Sequence, residues 1–128
     1  TVPKITITLR KSYGGAHDVM GSKQLRGDIN YAWPSAEIAV MGPEGAIEVL
    51  EGKRASKIDN IDERISYIKN KEIEYRQKFA NPYDAASYGY IDDIIEPRNT
   101  RFRVIRALQT LASKKDVNPP KKHSNIPL

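Results

Sequence analysis

The sequence predicts an α/β fold whose sheet is small and calls for strands that these residues do not supply. Three observations point there: an alternating opening strand, two passages in which a strand runs through glycines into a helix, and several helices with clear boundary signals. Val2 to Leu9 sets Ile5, Ile7 and Leu9 on one face and Lys4, Thr6 and Thr8 on the other, the period of a half-buried strand. Ser12 to Ala16 reads as a paired-glycine turn, and His17 to Leu25 as a short helix stopped by Gly27. Ile29 to Val40 carries Tyr31, Trp33, Ile38 and Val40 around Pro34, which predicts two strand pieces joined by a bend. Both Tyr31 and Trp33 are expected in the core rather than as ligand platforms.

A second glycine passage, Met41 to Gly45, leads into a helix from about Pro43, since proline suits the first helical turn. Glu51 to Asn60 is polar and is read as irregular. Asn60 and Glu63 have capping-box spacing, and Ile61, Ile65 and Ile68 supply an apolar stripe for a helix reaching about Phe79. Asn81-Pro82 opens another helix that Gly89 closes, and Tyr90 to Ile95 reads as a short strand ended by Pro97. A final helix capped at Asn99 or Thr100 should bury Val104, Ile105, Leu108, Leu111 and Ala112. Residues 113–128 are expected to be an extended tail, because Pro119-Pro120 cannot continue a helix. No internal repeat is visible in the residues. A lone opening strand with so few others leaves a sheet that needs partners, so the chain reads as part of a larger unit, as its opening at Thr1 also suggests.

Composition narrows the function classes. The 128 residues, 39% of them hydrophobic, suit one domain with a modest core. No apolar run reaches the roughly 20 residues of a membrane-spanning helix, and TVPKITITLR reads as a strand rather than a signal peptide, so a soluble protein without a membrane partner is expected. The absence of cysteine excludes disulfides, thiolate nucleophiles and zinc sites built on thiolates, and fits a reducing compartment, the cytoplasm by default. No metal site is expected, His123 in its Pro-Lys tail included. The net charge of +5 is concentrated from Arg101 onward, where seven basic residues stand against Asp116 alone. A nucleic-acid partner would call for interleaved aromatics, and only Phe102 qualifies, so the charge reads as solvated helix face and tail.

Ser12-Tyr13-Gly14-Gly15-Ala16-His17-Asp18 is the stretch that bears on chemistry. Small residues between a strand and a helix leave the first helical N–H groups unpaired at the positive end of the helix dipole, a place for an anion or a developing oxyanion; a plain tight turn has the same sequence form. Gly42-Pro43-Glu44-Gly45 repeats the form; in isolation it reads as an ordinary helix start, and beside the first passage it could bring a second set of free amides toward the same cleft. Asp18 is either a dipole partner at the helix N-terminus or a pocket-lining residue. His17 lacks a nucleophile or carboxylate at a spacing that would make it a general base, and is expected at the surface or lining a pocket.

Seven blocks, in order, carry a more specific signal: Thr1 to Thr6, Arg10 to Ala16, Asp18 to Lys23, Ala32 to Gly42, Asn81 to Tyr83, Gly89 to Asp92 and Pro119 to His123. Together they resemble the propionyl-CoA carboxylase beta subunit family, the carboxyltransferase subunits of biotin-dependent acyl-CoA carboxylases. The resemblance implies a crotonase-like fold, in which strand-strand-helix units wind into a spiral. It places residues 1–128 in the later part of the C-terminal, biotin-facing domain. The active site of such enzymes lies between that domain and the acyl-CoA-binding N-terminal domain of another subunit, so a homo-oligomer is implied, with the biotin carrier and biotin carboxylase as further partners. Biotin arrives on the carrier and is not attached to this chain.

The implied reaction moves a carboxyl group from N-carboxybiotin to the carbon beside the thioester of propionyl-CoA, giving methylmalonyl-CoA. By resemblance the amides of Gly15 and Ala16 form one oxyanion hole, assigned to the biotin ureido oxygen with the thioester oxygen as alternative. Gly14, His17, Asp18, Gly42 and Gly45 would line the biotin or substrate pocket. Asp18 is the position that would tune acyl choice. No side-chain base is required if biotin itself takes the proton. The sequence departs from the family pattern at His17, commonly Tyr, at Ser87-Tyr88, commonly Glu-Arg, at Ser124, commonly Gly, and through Glu48 to Arg54. A methylmalonyl-CoA decarboxylase, a transcarboxylase or an acetyl-CoA carboxylase carboxyltransferase is the alternative within the fold, and an assembly or binding module the alternative outside enzymes. The fragment alone is expected to be inactive, and the location to be the mitochondrial matrix if the source is eukaryotic.

Overall fold

A computed structural model describes residues 2–117. Its elements are β1 (Ile5–Thr8), β2 (Lys11–Tyr13), α1 (Gly14–Val19), β3 (Ile29–Ala32), β4 (Glu37–Ala39), α2 (Pro43–Ala55), α3 (Ile61–Lys78), α4 (Pro82–Ser87), β5 (Asp93–Ile94) and α5 (Thr100–Thr110), with 3-10 turns at Lys23–Leu25 and Pro97–Asn99. The strands make two parallel sheets, β1-β3-β5 and β2-β4. Strand, strand, helix therefore occurs twice, as β1-β2-α1 and β3-β4-α2, with the first strand of each unit in one sheet and the second in the other. The repeat is one of topology, which is why the residues themselves do not display it.

β3 holds the middle of the larger sheet and is covered on both faces. Its alternation sends Tyr31 toward one core, with Ile95 and Ala107, and Ala32 toward another, with Ala36, Ile38, Ala85 and Ile91. Ile5, Ile7, Ile29 and Trp33 pack against the first of these, so the core placement expected of Tyr31 and Trp33 holds. Ala32, Ala36 and Ala85 make up most of the second core, and Ala107 is the small residue at which α5 meets the first, which lets α4 and α5 approach the sheet closely.

The helix expected over His17 to Leu25 is instead two pieces. α1 ends at Val19, and Gly21 takes a φ of +112° while its carbonyl accepts from Thr6 Oγ1 at 2.9 Å. That contact with β1 turns the chain out of the helix. The left-handed stop is Arg26, at φ 61°, rather than Gly27. In α2 the helix runs on to Ala55 through the stretch read as irregular, because Ala55 is buried and Tyr67 of α3 donates to Glu51 at 2.9 Å. α3 and α4 begin where the caps predict: Asn60 Oδ1 accepts from Asp62 N at 2.9 Å, and Asn81 Oδ1 from Asp84 N at 2.8 Å.

α5 differs in its buried face. Ala107 is the residue that seats it, with Val104 and Leu111 half-buried beside it, whereas Ile105, Leu108 and Ala112, expected inside, are exposed, as is Phe102. Thr100 does not cap the helix; its Oγ1 accepts from Trp33 Nε1 at 2.9 Å. Thr100→Val keeps the shape and strands that indole N–H, so it should lower unfolding stability by about 1–3 kcal/mol, and Thr100→Ser should restore most of it, both read by denaturant titration. Beyond α5, Lys114 Nζ reaches back to Asp28 Oδ2 at 2.8 Å and to the Val2 carbonyl at 3.2 Å, and Asp28 also accepts from Lys4 N at 2.6 Å. The Lys114 ammonium and that backbone N–H hold the Asp28 carboxyl below its usual range. Residues 114–117 are non-helical, and the remainder of the expected tail, together with Thr1, lies outside the described residues.

Candidate functional site

β2 and β4 are neighbours in register, Ser12 opposite Ile38 and Tyr13 opposite Ala39, and both leave the sheet at their carboxyl ends into a helix. Parallel pairing thus sets the turn at Gly14 beside the turn at Gly42, which the sequence form of the two passages anticipates. Gly14 has φ +54°, and a Cβ there would lie 2.9 Å from the Val40 carbonyl, so conformation and space both demand glycine. Gly15 is different: a Cβ would meet nothing within 4 Å. α1 starts at Gly14 itself, so Gly15 and Ala16 are in its first turn, both exposed, where helix geometry gives their N–H groups no acceptor. No side chain caps that end.

The first-turn residues open on a cleft of about 670 Å³, within the size range of small-molecule sites. Gly14, Gly15, His17 and Asp18 line it together with Ile38 to Val40 and the rings of Tyr75, Phe79, Tyr88 and Tyr90. The rings pair up: Tyr75 and Phe79 have centroids 5.3 Å apart, Tyr88 and Tyr90 6.0 Å. Asp18 lies in the last turn of α1 rather than its first, so it cannot be an N-terminal dipole partner, and it is half-buried in the cleft wall. His17 is half-buried there too, with Ser12 Oγ 2.7 Å from its Nδ1. Ala16, Gly42 and Gly45 are not among the cleft-lining residues. Gly42 is covered by the Tyr13 ring, 3.3 Å from where a Cβ would be, and Gly45 lies by Met41.

Three polar groups brace the floor of this region. The Tyr13 phenol donates to Glu37 Oε2, and Arg76 Nε of α3 stands 3.3 Å from the same oxygen. Burial and the Glu37 carboxylate push the Tyr13 hydroxyl up to about 12. Burial alone would raise Glu37, but the Tyr13 hydrogen bond and the Arg76 charge outweigh it and hold the carboxyl below its usual value. Tyr13 is therefore neutral and Glu37 ionised at physiological pH. Sequence reasoning included Ser12 and Tyr13 in the glycine-turn stretch but gave them no role of their own, and it gave none to Glu37, Arg76 or the four aromatic rings. Tyr75 and Phe79 have i, i+4 spacing at the end of α3 and Tyr88 and Tyr90 are two residues apart, but the Tyr13, Glu37 and Arg76 grouping becomes visible only once β2 is paired with β4.

Comparison with known proteins adds three findings. The carboxyl transferase domain family matches residues 1–126. The propionyl-CoA carboxylase carboxyltransferase subunit of Haloferax mediterranei is 53% identical over 128 residues, and the human mitochondrial propionyl-CoA carboxylase beta chain 52%; all of this chain is covered, with 24% and 22% of those proteins respectively. Among solved structures, the transcarboxylase 12S hexamer with methylmalonyl-coenzyme A and methylmalonic acid bound superposes over the whole chain at a TM-score of 0.86 and 46% identity, again covering 24% of that protein. The chain thus spans about a quarter of the length of these relatives.

Proposed function

Because the chain belongs to the carboxyl transferase domain family and has its crotonase-like fold, we propose that it forms one wall of a carboxyltransferase site that moves a carboxyl group from biotin to propionyl-CoA. The observation that carries this reading is the uncapped first turn of α1, whose Gly15 and Ala16 N–H groups lack helical acceptors and whose Gly14 and Gly15 line a largely apolar cleft. Two such donors suit an oxygen on which charge builds in the transition state, and a low-polarity surround makes them count for more than they would in water.

The cleft fits biotin on two grounds. Its volume is adequate for a small fused ring system, and its aromatic and aliphatic walls suit an apolar body with one polar edge. Biotin, carried by a separate protein, supplies the transferable carboxyl group. The chain's own task is to receive the ureido oxygen at Gly15 and Ala16, with Gly14 holding the turn open and His17 and Asp18 at the rim. Gly42 and Gly45 flank this site at the head of α2. The thioester oxygen of the acyl-CoA is the alternative occupant of the same donors. Asp18 is placed to influence which acyl group is accepted, and His17, held by Ser12, is the second residue through which this chain's preference would differ from its relatives.

The other wall, on this reading, is the acyl-CoA-binding N-terminal domain of another copy of the full subunit, and the biotin carrier and biotin carboxylase complete the system. The exposed apolar side chains Phe102, Ile105 and Leu108 on α5, and Val19, Met20 and Val40 near the cleft, support an assembly that covers them. No described helix is long and apolar enough to cross a membrane. The mammalian relatives are mitochondrial, and a matrix or cytoplasmic site, according to the source, is part of the proposal.

The experiment is carboxyl transfer by the full-length subunit carrying this segment, from carboxylated free biotin to propionyl-CoA, acetyl-CoA and a keto acid in parallel. Transfer to propionyl-CoA, lost about 100-fold in Ala16→Leu while the subunit still assembles, is the expected result. Preferred transfer to the keto acid would replace the carboxylase reading by a transcarboxylase. An undiminished Ala16→Leu rate would remove the oxyanion role.

A further inference from the structure

Tyr13 stands where four parts of the site meet. It is the last residue of β2, and its main chain leads directly into Gly14. Its ring covers Gly42, with Cε2 and Cδ2 at 3.3 and 3.4 Å from the place a Cβ would take, so any side chain at residue 42 would press that ring back by a few tenths of an ångström. Its hydroxyl is anchored on Glu37 of β4, two positions before its own register partner Ala39. Through Glu37 it is tied to Arg76 on α3, the helix that also presents Tyr75 to the cleft and is followed directly by Phe79. We infer that Tyr13 is a positioning residue that holds the two glycine turns in fixed relation and so aims the Gly15 and Ala16 amides, an inference that rests on the function proposed above.

The chemistry of the anchor supports this. A phenol donating to an ionised carboxylate makes a charge-assisted bond, stronger than a neutral pair. The phenol keeps its proton far into the alkaline range, so the bond persists at any working pH. Phenylalanine would fill the same space over Gly42, so the hydroxyl serves the anchor and the ring serves the packing. With the anchor gone, Glu37 keeps Arg76 as partner and the fold has no buried unpaired charge, but the ring is free to slide over Gly42. Donors displaced by a fraction of an ångström lose transition-state stabilisation before they lose ground-state binding.

The test uses the full-length subunit with Tyr13→Phe, Glu37→Ala, the double variant and Glu37→Gln. Two readouts are taken: hydrogen exchange of peptides covering residues 10–20 and 40–46, and kcat and KM for propionyl-CoA. Tyr13→Phe should speed exchange about tenfold in both peptides and lower kcat about tenfold, with KM changed less than twofold. Glu37→Ala should match it, the double variant should add little, and Glu37→Gln, whose amide oxygen still accepts from the phenol, should recover most of the rate. Unchanged exchange in residues 40–46 overturns the coupling of the turns whatever the activity. A wild-type subunit that transfers no carboxyl group would count against the functional reading alone, since the exchange measurement still decides the role of Tyr13. Equal kcat in Tyr13→Phe and wild type would also overturn it.

Discussion

Gly15→Val should leave stability within about 0.5 kcal/mol of wild type and cut carboxyl transfer by about 100-fold or more. The two halves of that expectation come from different observations. Nothing in the described chain lies within 4 Å of a Cβ at residue 15, so the side chain costs no packing. Residue 15 is in the first turn of a helix, where glycine is the poorer former, and any substitution recovers some backbone entropy. On stability grounds alone glycine is thus the wrong choice at this position. What a β-branched side chain does there is shield the N–H groups of residues 15 and 16 from an incoming oxygen, and the loss of one such donor is worth roughly 100- to 1,000-fold in kcat. Gly15→Ala should fall between, slightly more stable and measurably slower. Gly14→Ala is the opposite case, because a φ of +54° and the Val40 carbonyl at 2.9 Å make it a folding defect before it is a catalytic one. A Gly15→Val subunit that turns over within threefold of wild type, with its unfolding midpoint unchanged, would remove the amides from the mechanism.

This pair of neighbouring glycines also shows what can be read from residues and what cannot. The strand, glycine turn and helix were legible because each is a local preference, as were the caps at Asn60 and Asn81, which bond within three residues of themselves. That one glycine is demanded by φ and the other only by access is not local, since it depends on β4 lying alongside β2. The misread elements share that cause. The helix expected from His17 to Leu25 breaks because Gly21 is held by Thr6 of β1, fifteen residues away. The polar segment after Glu51 stays helical because α3 covers it, and composition carries no sign of that cover. α5 has apolar side chains on both of its sides, and periodicity cannot say that Val104, Ala107 and Leu111 face this chain's sheet while Phe102, Ile105 and Leu108 face outward. α5 is not apolar all round, since Arg101, Arg103, Arg106 and Gln109 share it, and Phe102, Ile105 and Leu108 stand exposed among them as a second apolar set that this chain's sheet leaves uncovered. The candidate site follows the same rule: Gly14 to Asp18 were identifiable as a contiguous motif, whereas the Tyr13, Glu37 and Arg76 brace joins residues 24 and 39 positions apart in sequence.

Gly27→Ala should be the most destabilising of the small substitutions, about 3 kcal/mol or more, seen as a fall of over 10 °C in the unfolding midpoint. A methyl group at residue 27 would lie 2.4 Å from the Gly21 carbonyl oxygen, 2.8 Å from that of Ser22 and 2.9 Å from Asn30 Nδ2. Two of these are main-chain atoms in a turn that is already committed. Gly27 N donates to the Ser22 carbonyl at 2.9 Å, and Gly21 is held at φ +112° with its own carbonyl accepting from Thr6. The third belongs to a buried residue whose main chain is gripped by Asp92, with Asn30 N to Asp92 Oδ2 at 2.7 Å and Asp92 N to the Asn30 carbonyl at 2.8 Å. Relief would have to come from moving the whole 21–27 loop away from β3, which breaks the packing between the first strand-strand-helix unit and the second. The control is Gly52→Ala at the last turn of α2, where a Cβ meets nothing within 4 Å and the better helix former should add up to about 1 kcal/mol. Opposite signs for two glycine-to-alanine changes in one chain would trace the cost at residue 27 to contact rather than to glycine as such. Equal and small effects would mean that the 21–27 loop can yield, and with it the path of the chain from α1 into β3.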